Sequence, residues 1–208
     1  MRTIGALLYP NFEVLDLYGP LEMFGSLANE FNIATVAEEA GPVTSAQGPA
    51  TLAEHTFDSA PALDMILVPG GIGTVAELDN ERLLGFLTQR SPAAELVMSV
   101  CSGSALLAKA GLLDNKRATS NKMFFDLARN QSTATTWVEE ARWVIDGKFA
   151  TSSGVSAGTD MALAVIEQLL GQDAAEQVAA YTEYQRHQDP DTDPFVSYLN
   201  QGQLPTTP

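Results

Sequence analysis

The only cysteine of the sequence, Cys101, lies in the run Leu96-Val97-Met98-Ser99-Val100-Cys101-Ser102-Gly103-Ser104. The apolar residues before it read as a buried strand, and the small residues after it open a helix reaching Ala110. A nucleophile mounted on a sharp strand-to-helix turn has this pattern. The start of such a helix offers unpaired N–H groups and partial positive charge, which favour a thiolate and bound anions. A free cysteine is also among the residue types most often buried for packing alone. The stretch by itself therefore fits two readings, structural thiol and nucleophile.

Two further stretches place chemistry at strand ends. Asp16 sits in the apolar run Val14-Leu15-Asp16-Leu17 after the first strand, as a helix cap or as a carboxylate presented in a cleft. Pro69-Gly70-Gly71 closes the buried strand Met65–Val68, and glycines there let backbone approach a ligand closely. In open parallel sheets ligands bind beyond the carboxyl ends of the strands. If these strands are neighbours, Cys101 is the nucleophile, the N–H groups of Gly71 and Ser102 form an oxyanion hole, and Asp16 carries a proton. Thiolate and carboxylate repel at close range, so the pair works with Asp16 protonated, a state that burial among Val14, Leu15 and Leu17 favours.

The remaining polar motifs are quieter. His55 and His187 are the only histidines, neither adjoins the elbow, and both read as solvated surface residues. Ser153-Gly154-Val155-Ser156-Ala157-Gly158 precedes a helix without the lysine of a phosphate-binding loop; Ser153 and Gly154 are expected to pack close to the cleft. No Cys/His spacing suits a metal, and nothing calls for a cofactor.

The elements that must position these residues alternate. Strands are expected at 3–9, 31–37, 65–68 and 96–100, with a helix opened by Pro20. Gly41–Ser45 reads as a turn, 52–57 as an edge strand, and 77–89 and 122–129 as helices. Strands at 135–138 and 141–145 precede a hairpin at Asp146-Gly147, and helices at 156–170 and 173–185 precede a Pro-rich tail. This predicts a parallel sheet covered on both faces by right-handed crossovers. With 208 residues and no linker, residues 1–208 read as one domain. A net charge of −15 argues against a nucleic-acid surface. No apolar window reaches the length of a membrane span and no signal peptide is evident, so a cytoplasmic protein is expected.

Together, Leu15-Asp16-Leu17-Tyr18-Gly19-Pro20, Val68-Pro69-Gly70-Gly71, Val100-Cys101-Ser102-Gly103-Ser104, Thr151–Gly158 and the 183–195 tail resemble the ThiJ/PfpI superfamily, the class I glutamine-amidotransferase-like relatives of the DJ-one protein. The resemblance implies a flavodoxin-like three-layer α/β sandwich with a nucleophile elbow, a homodimer and a small-molecule substrate. Family proteases carry histidine after the cysteine; here it is Ser102, which weighs against peptidase activity. Glyoxalase-like members carry Glu after the first strand; here it is Asp16, similar to isocyanide hydratases and to the sensor half of AraC-type regulators. The chain stops at Pro208, so no DNA-binding half is expected. Hydratase-like members carry Thr after the cysteine and a Thr-His-Trp run after the next strand. Here Ser102 keeps the hydroxyl, and Asn121 of Ser120-Asn121-Lys122 replaces the imidazole. The expected activity is hydration of an isocyanide to an N-formamide through a thioimidate on Cys101. Aldehyde chemistry of the glyoxalase or deglycase kind, and non-catalytic ligand or redox sensing, are the alternatives.

Overall fold

A computed structural model describes residues 1–202; the last six positions of the expected domain, 203–208, lie outside the described residues. The chain begins with β1 (Arg2–Leu7), α1 (Val14–Gly25), β2 (Phe31–Ala37), β3 (Gly41–Thr44), β4 (Ala50–Ala53) and β5 (His55–Thr56). It continues through β6 (Met65–Val68), α2 (Thr74–Glu77), α3 (Glu81–Arg90), β7 (Leu96–Ser99) and α4 (Gly103–Lys109). The last third holds β8 (Arg117–Ala118), α5 (Phe125–Arg129), β9 (Thr136–Trp137), β10 (Trp143–Asp146), β11 (Phe149–Ser152), α6 (Ala157–Leu170) and α7 (Gln172–Tyr181).

Seven strands form the main sheet in the order β10-β11-β7-β6-β1-β2-β5. All neighbours pair in parallel except the β10–β11 hairpin at one edge. Every residue of β6 and β7 is buried, as their unbroken apolar runs require in a sheet covered on both faces. After β2 the chain returns to lay β6 on the other side of β1, so the order reverses between β1 and β6. Such a switch point opens a crevice at the carboxyl ends of the strands. Asp16, Gly70 and Cys101 follow β1, β6 and β7, three adjacent strands, and so share that end. The mixed α/β sandwich expected from the sequence is the observed fold.

Several boundaries differ from expectation. Asp16 lies in the first turn of α1 instead of a loop, and Pro20 is inside that helix instead of opening it. The missing N–H of Pro20 leaves the Asp16 carbonyl without its helical donor, a loss usually avoided in helix interiors. Tertiary packing overrides it, since Leu17, Pro20, Leu21 and Phe24 are all buried. Gly41–Thr44 is a strand paired with β4 and not a turn. The helix expected at 77–89 splits into α2 and α3 at Asn80, whose side chain caps α3 by accepting from the N–H groups of Arg82 and Leu83 at 3.0 and 3.1 Å. The helix expected at 122–129 starts only at Phe125, because Asn121 and Lys122 spend their side chains on tertiary contacts. The last helix stops at Tyr181.

Candidate active site

Cys101 joins β7 to α4 with φ 58°, a left-handed conformation that non-glycine residues seldom adopt. Both of its peptide groups are tied down. Its N–H donates to the Ser153 carbonyl at 3.1 Å, and its carbonyl accepts from the hydroxyls of Ser104 and Ser120, each at 3.1 Å. Backbone strain persists where surrounding bonds over-determine it, and such positions cluster at functional sites.

One donor bonds the sulfur: Asn121 Nδ2 donates to Sγ at 3.1 Å. The backbone N–H groups of Ser102 and Val155 lie close enough to favour its negative charge. Val155 is itself strained, a β-branched residue at φ 45°. These donors favour a thiolate but do not prevail. Burial, followed by the neighbouring Asp16 charge, pushes the thiol well above its ordinary value. The helix-start effect expected from the sequence is thus outweighed. The seven-residue α4 cannot offset removal of the sulfur from water, and the resting group is the neutral thiol.

Asp16 is completely buried. Its Oδ2 accepts the Gly70 N–H at 2.8 Å, while Oδ1 has no aligned hydrogen-bond partner among the described residues. Burial pushes the carboxyl up to about 8 against the opposing Gly70 hydrogen bond, with the nearby Glu13 charge adding to the rise. At neutral pH this acid holds its proton, so a neutral carboxyl and a neutral thiol stand side by side. Gly70 is squeezed between the two halves of the site. A β-carbon there would lie 2.6 Å from Ser102 N and 2.8 Å from Asp16 Oδ2.

Gly71 and Ser102 also meet, in a way the sequence did not suggest. The Gly71 N–H donates to Ser102 Oγ at 3.1 Å, so it is aimed at the hydroxyl. Ser102 Oγ also hydrogen-bonds Thr74 Oγ1 at 2.9 Å, and Thr74 meets the buried Tyr9 hydroxyl at 3.1 Å. Tyr9 in turn donates to the Pro69 carbonyl at 2.6 Å. This hydroxyl chain ties the Pro69-Gly70-Gly71 turn to the elbow. Ser153 stands behind Cys101, receiving its N–H and donating its own to the Arg142 carbonyl at 2.8 Å. Gly154 packs on Asn121, for a β-carbon there would be 2.6 Å from Nδ2.

Sequence reasoning missed Val155, Thr74 and Tyr9, and did not place Asn121 on the sulfur. Nothing local signals a left-handed valine, and Tyr9 reads simply as the end of a buried strand. The histidines stand apart from the sulfur. His55 lies on the far edge strand β5, and His187 Nε2 pairs with the Thr192 carbonyl at 3.1 Å. Among the described residues, no three metal-ligating side chains converge to hold an ion.

Comparison with known proteins agrees with this architecture. The DJ-1/PfpI family profile matches residues 2–168. Isonitrile hydratase from Pseudomonas putida is 38% identical over 181 residues, covering 87% of this chain and 78% of that protein. The HTH-type transcriptional regulator GbdR from Pseudomonas aeruginosa is 29% identical, and the match covers 89% of this chain but only 51% of the regulator. A crystal structure of a ThiJ/PfpI family protein from Pseudomonas syringae superposes with a TM-score of 0.81 at 38% identity, covering all of this chain and 81% of that one. With fold, elbow and sequence in agreement over most of its length, the chain belongs to the DJ-1/PfpI family.

Proposed function

We propose that this protein hydrates isocyanides to N-formamides, with Cys101 as nucleophile and Asp16 as proton carrier. One observation supports the reading most: a completely buried carboxyl, held by the Gly70 N–H, beside a thiol on a strained elbow; burial favours the protonated form of both. An isocyanide needs both, since its terminal carbon must gain a proton as well as sulfur. The similarity to isonitrile hydratase supports the same substrate class.

In the first step sulfur bonds to the terminal carbon, Asp16 gives its proton to that carbon, and the thiol proton refills Asp16. The product is a thioimidate, R–N=CH–S–Cys101. Water then adds to its carbon while one water proton passes through Asp16 to nitrogen. The carbon–sulfur bond breaks as the remaining hydroxyl proton travels through Asp16 to sulfur. The sum is R–NC plus H2O giving R–NH–CHO, with Asp16 and Cys101 returned to their starting states. Asn121 and the Ser102 and Val155 amides bear on sulfur as negative charge develops there. The Ser102 hydroxyl, held by Gly71 and the Thr74–Tyr9 chain, positions the water.

A turnover assay on an aryl isocyanide tests the reading. Cys101→Ala and Asp16→Asn are each expected to lower kcat at least a thousandfold. Undiminished turnover by Cys101→Ala overturns it. Because Asp16 must begin protonated, kcat/KM is expected to hold level below pH 7 and to fall as pH rises through about 8.

The regulator similarity favours one other reading, a ligand sensor built on the same thiol. Ligand binding without turnover of isocyanide or methylglyoxal distinguishes it. For assembly we propose a homodimer. Leu15 and Tyr18 on α1 and Leu52 on β4 are 43, 46 and 61% exposed, and Tyr18 Oη joins α1 to β4 through Thr51 at 2.8 Å. A second copy covering this apolar face would account for its exposure. The cytoplasm, where thiols are kept reduced, is the proposed setting.

A further inference from the structure

Asn121, which donates to the Cys101 sulfur, and Val155, whose N–H favours charge on it, also line a predominantly apolar pocket of about 390 Å³. Its outer wall is Met123, Phe195 and Tyr198, each roughly half exposed. Phe195 and Tyr198 belong to a strap after α7 that the family profile, ending at residue 168, does not span.

We propose that this pocket receives the substituent on the isocyanide nitrogen, and that Phe195 and Tyr198 select an uncharged aromatic or branched aliphatic group. The proposal rests on the hydratase reading and names its substrate class. An isocyanide is linear, and sulfur adds from the side to the π* orbital of its terminal carbon, so the thioimidate is bent and the substituent leaves at an angle to the new S–C bond, alongside the sulfur's own neighbours. The pocket that Asn121 and Val155 line is where that group can lodge. Its volume lies within the range of small-molecule sites, about 300–1,000 Å³.

The lining rejects charge. Among the described residues Lys122 is the only charged one on the wall, and its Nζ is bound elsewhere, to Thr119 Oγ1 at 2.9 Å and the Ala141 carbonyl at 2.6 Å. No carboxylate of the described residues lines the pocket. The aromatic wall is also held in place. Arg142 N–H donates to the Pro190 carbonyl at 2.7 Å, and Asp193 N–H to the Glu140 carbonyl at 2.8 Å. Further along, Asn200 N–H donates to the Lys122 carbonyl at 2.9 Å and Gly202 N–H to the Met123 carbonyl at 3.0 Å. The strap is thus stitched to the segment that carries Asn121, and pocket shape is coupled to the sulfur's hydrogen bond.

The test compares kcat/KM for phenyl isocyanide and methyl isocyanide in the full-length wild type, Phe195→Ala, Tyr198→Ala and Phe195→Leu. The wild type is expected to prefer the phenyl substrate. Each alanine variant is expected to lose that preference about tenfold, and Phe195→Leu to keep most of it. Binding of N-phenylformamide to Cys101→Ala, measured by calorimetry, is expected to weaken in parallel when Phe195→Ala is added. Equal losses on both substrates, or unchanged preference with altered oligomeric state, overturn the proposal. If the wild type turns over neither isocyanide, the hydratase reading fails. Formamide binding insensitive to Phe195→Ala then removes the pocket assignment as well.

Discussion

Asp16 pits stability against chemistry at a single residue. Its carboxyl is ionised above about 3.8 in the unfolded chain but only above about 8 in the folded one. The folded state therefore binds the extra proton between those values, and this group's contribution to stability is present in full below pH 4 and lost as pH rises toward 8. The slope is about 1.4 kcal/mol per pH unit. Asp16→Asn keeps the acceptor for Gly70 and removes the titration. Its melting temperature is expected to exceed that of the wild type by a margin that widens from pH 5 to pH 8 and then levels, as scanning calorimetry at stepped pH can check. A constant margin would mean that the carboxyl titrates normally. The same variant is inactive under the proposed mechanism, so stability and activity move in opposite directions. Burial of the carboxyl was expected for a reason the structure corrects: of its neighbours only Leu17 is buried, while Val14 is half-buried and Leu15 exposed, because adjacent residues of a helix face different sides. That Asn121 would face the sulfur was not legible, because the two lie twenty positions apart and the residues between them carry no periodic signal for the contact.

At the scale of elements, the site depends on a turn between β11 and α6 that holds Val155 in its strained conformation. Asp160, in the first turn of α6, is buried against Arg142, with guanidinium nitrogens at 2.7 and 2.8 Å from Oδ2. Its Oδ1 accepts the Tyr184 hydroxyl at 3.1 Å and the His187 N–H at 2.9 Å. Arg142 meanwhile holds Ser153 and Pro190 through its backbone. One ion pair thus joins the sheet edge, the start of α6 and the tail. Arg142→Met leaves Asp160 charged and uncompensated, which costs about 3–5 kcal/mol for a buried pair. A fall in melting temperature of about 10 °C is expected for a chain of this size. Adding Asp160→Asn is expected to restore part of it, since the stranded charge is gone. Additive losses in the double variant would show that the two side chains act independently.

For the whole molecule, charge and topology act separately. A net charge of −15 is self-repelling in the compact state. Raising salt from 0.05 to 0.5 M shortens the Debye length from about 14 Å to about 4 Å. The melting temperature is expected to rise by several degrees, and a fall would point instead to stabilising surface ion pairs. Topology decides where the three strand ends lie. The sheet order places β6 and β7 beside β1, so residues 85 positions apart in sequence, Asp16 and Cys101, come to one crevice.

The sequence by itself determined the elbow, the alternation of buried strands and helices and the likeness to one superfamily, because these are local in the chain. Periodicity, small residues and short motifs carry them. It placed Cys101, Asp16 and Gly70-Gly71 at strand ends, and hence at one end of any parallel sheet that made their strands neighbours. Only the tertiary structure decided how deeply Asp16 and Cys101 are buried, and hence the upward shift of both, since burial depends on what the rest of the chain covers. Only it brought Asn121 and Val155 onto the sulfur, turned the Gly71 N–H onto Ser102, and laid Phe195 and Tyr198 beside the site. Those contacts join segments far apart in sequence, and no local preference of either partner encodes them.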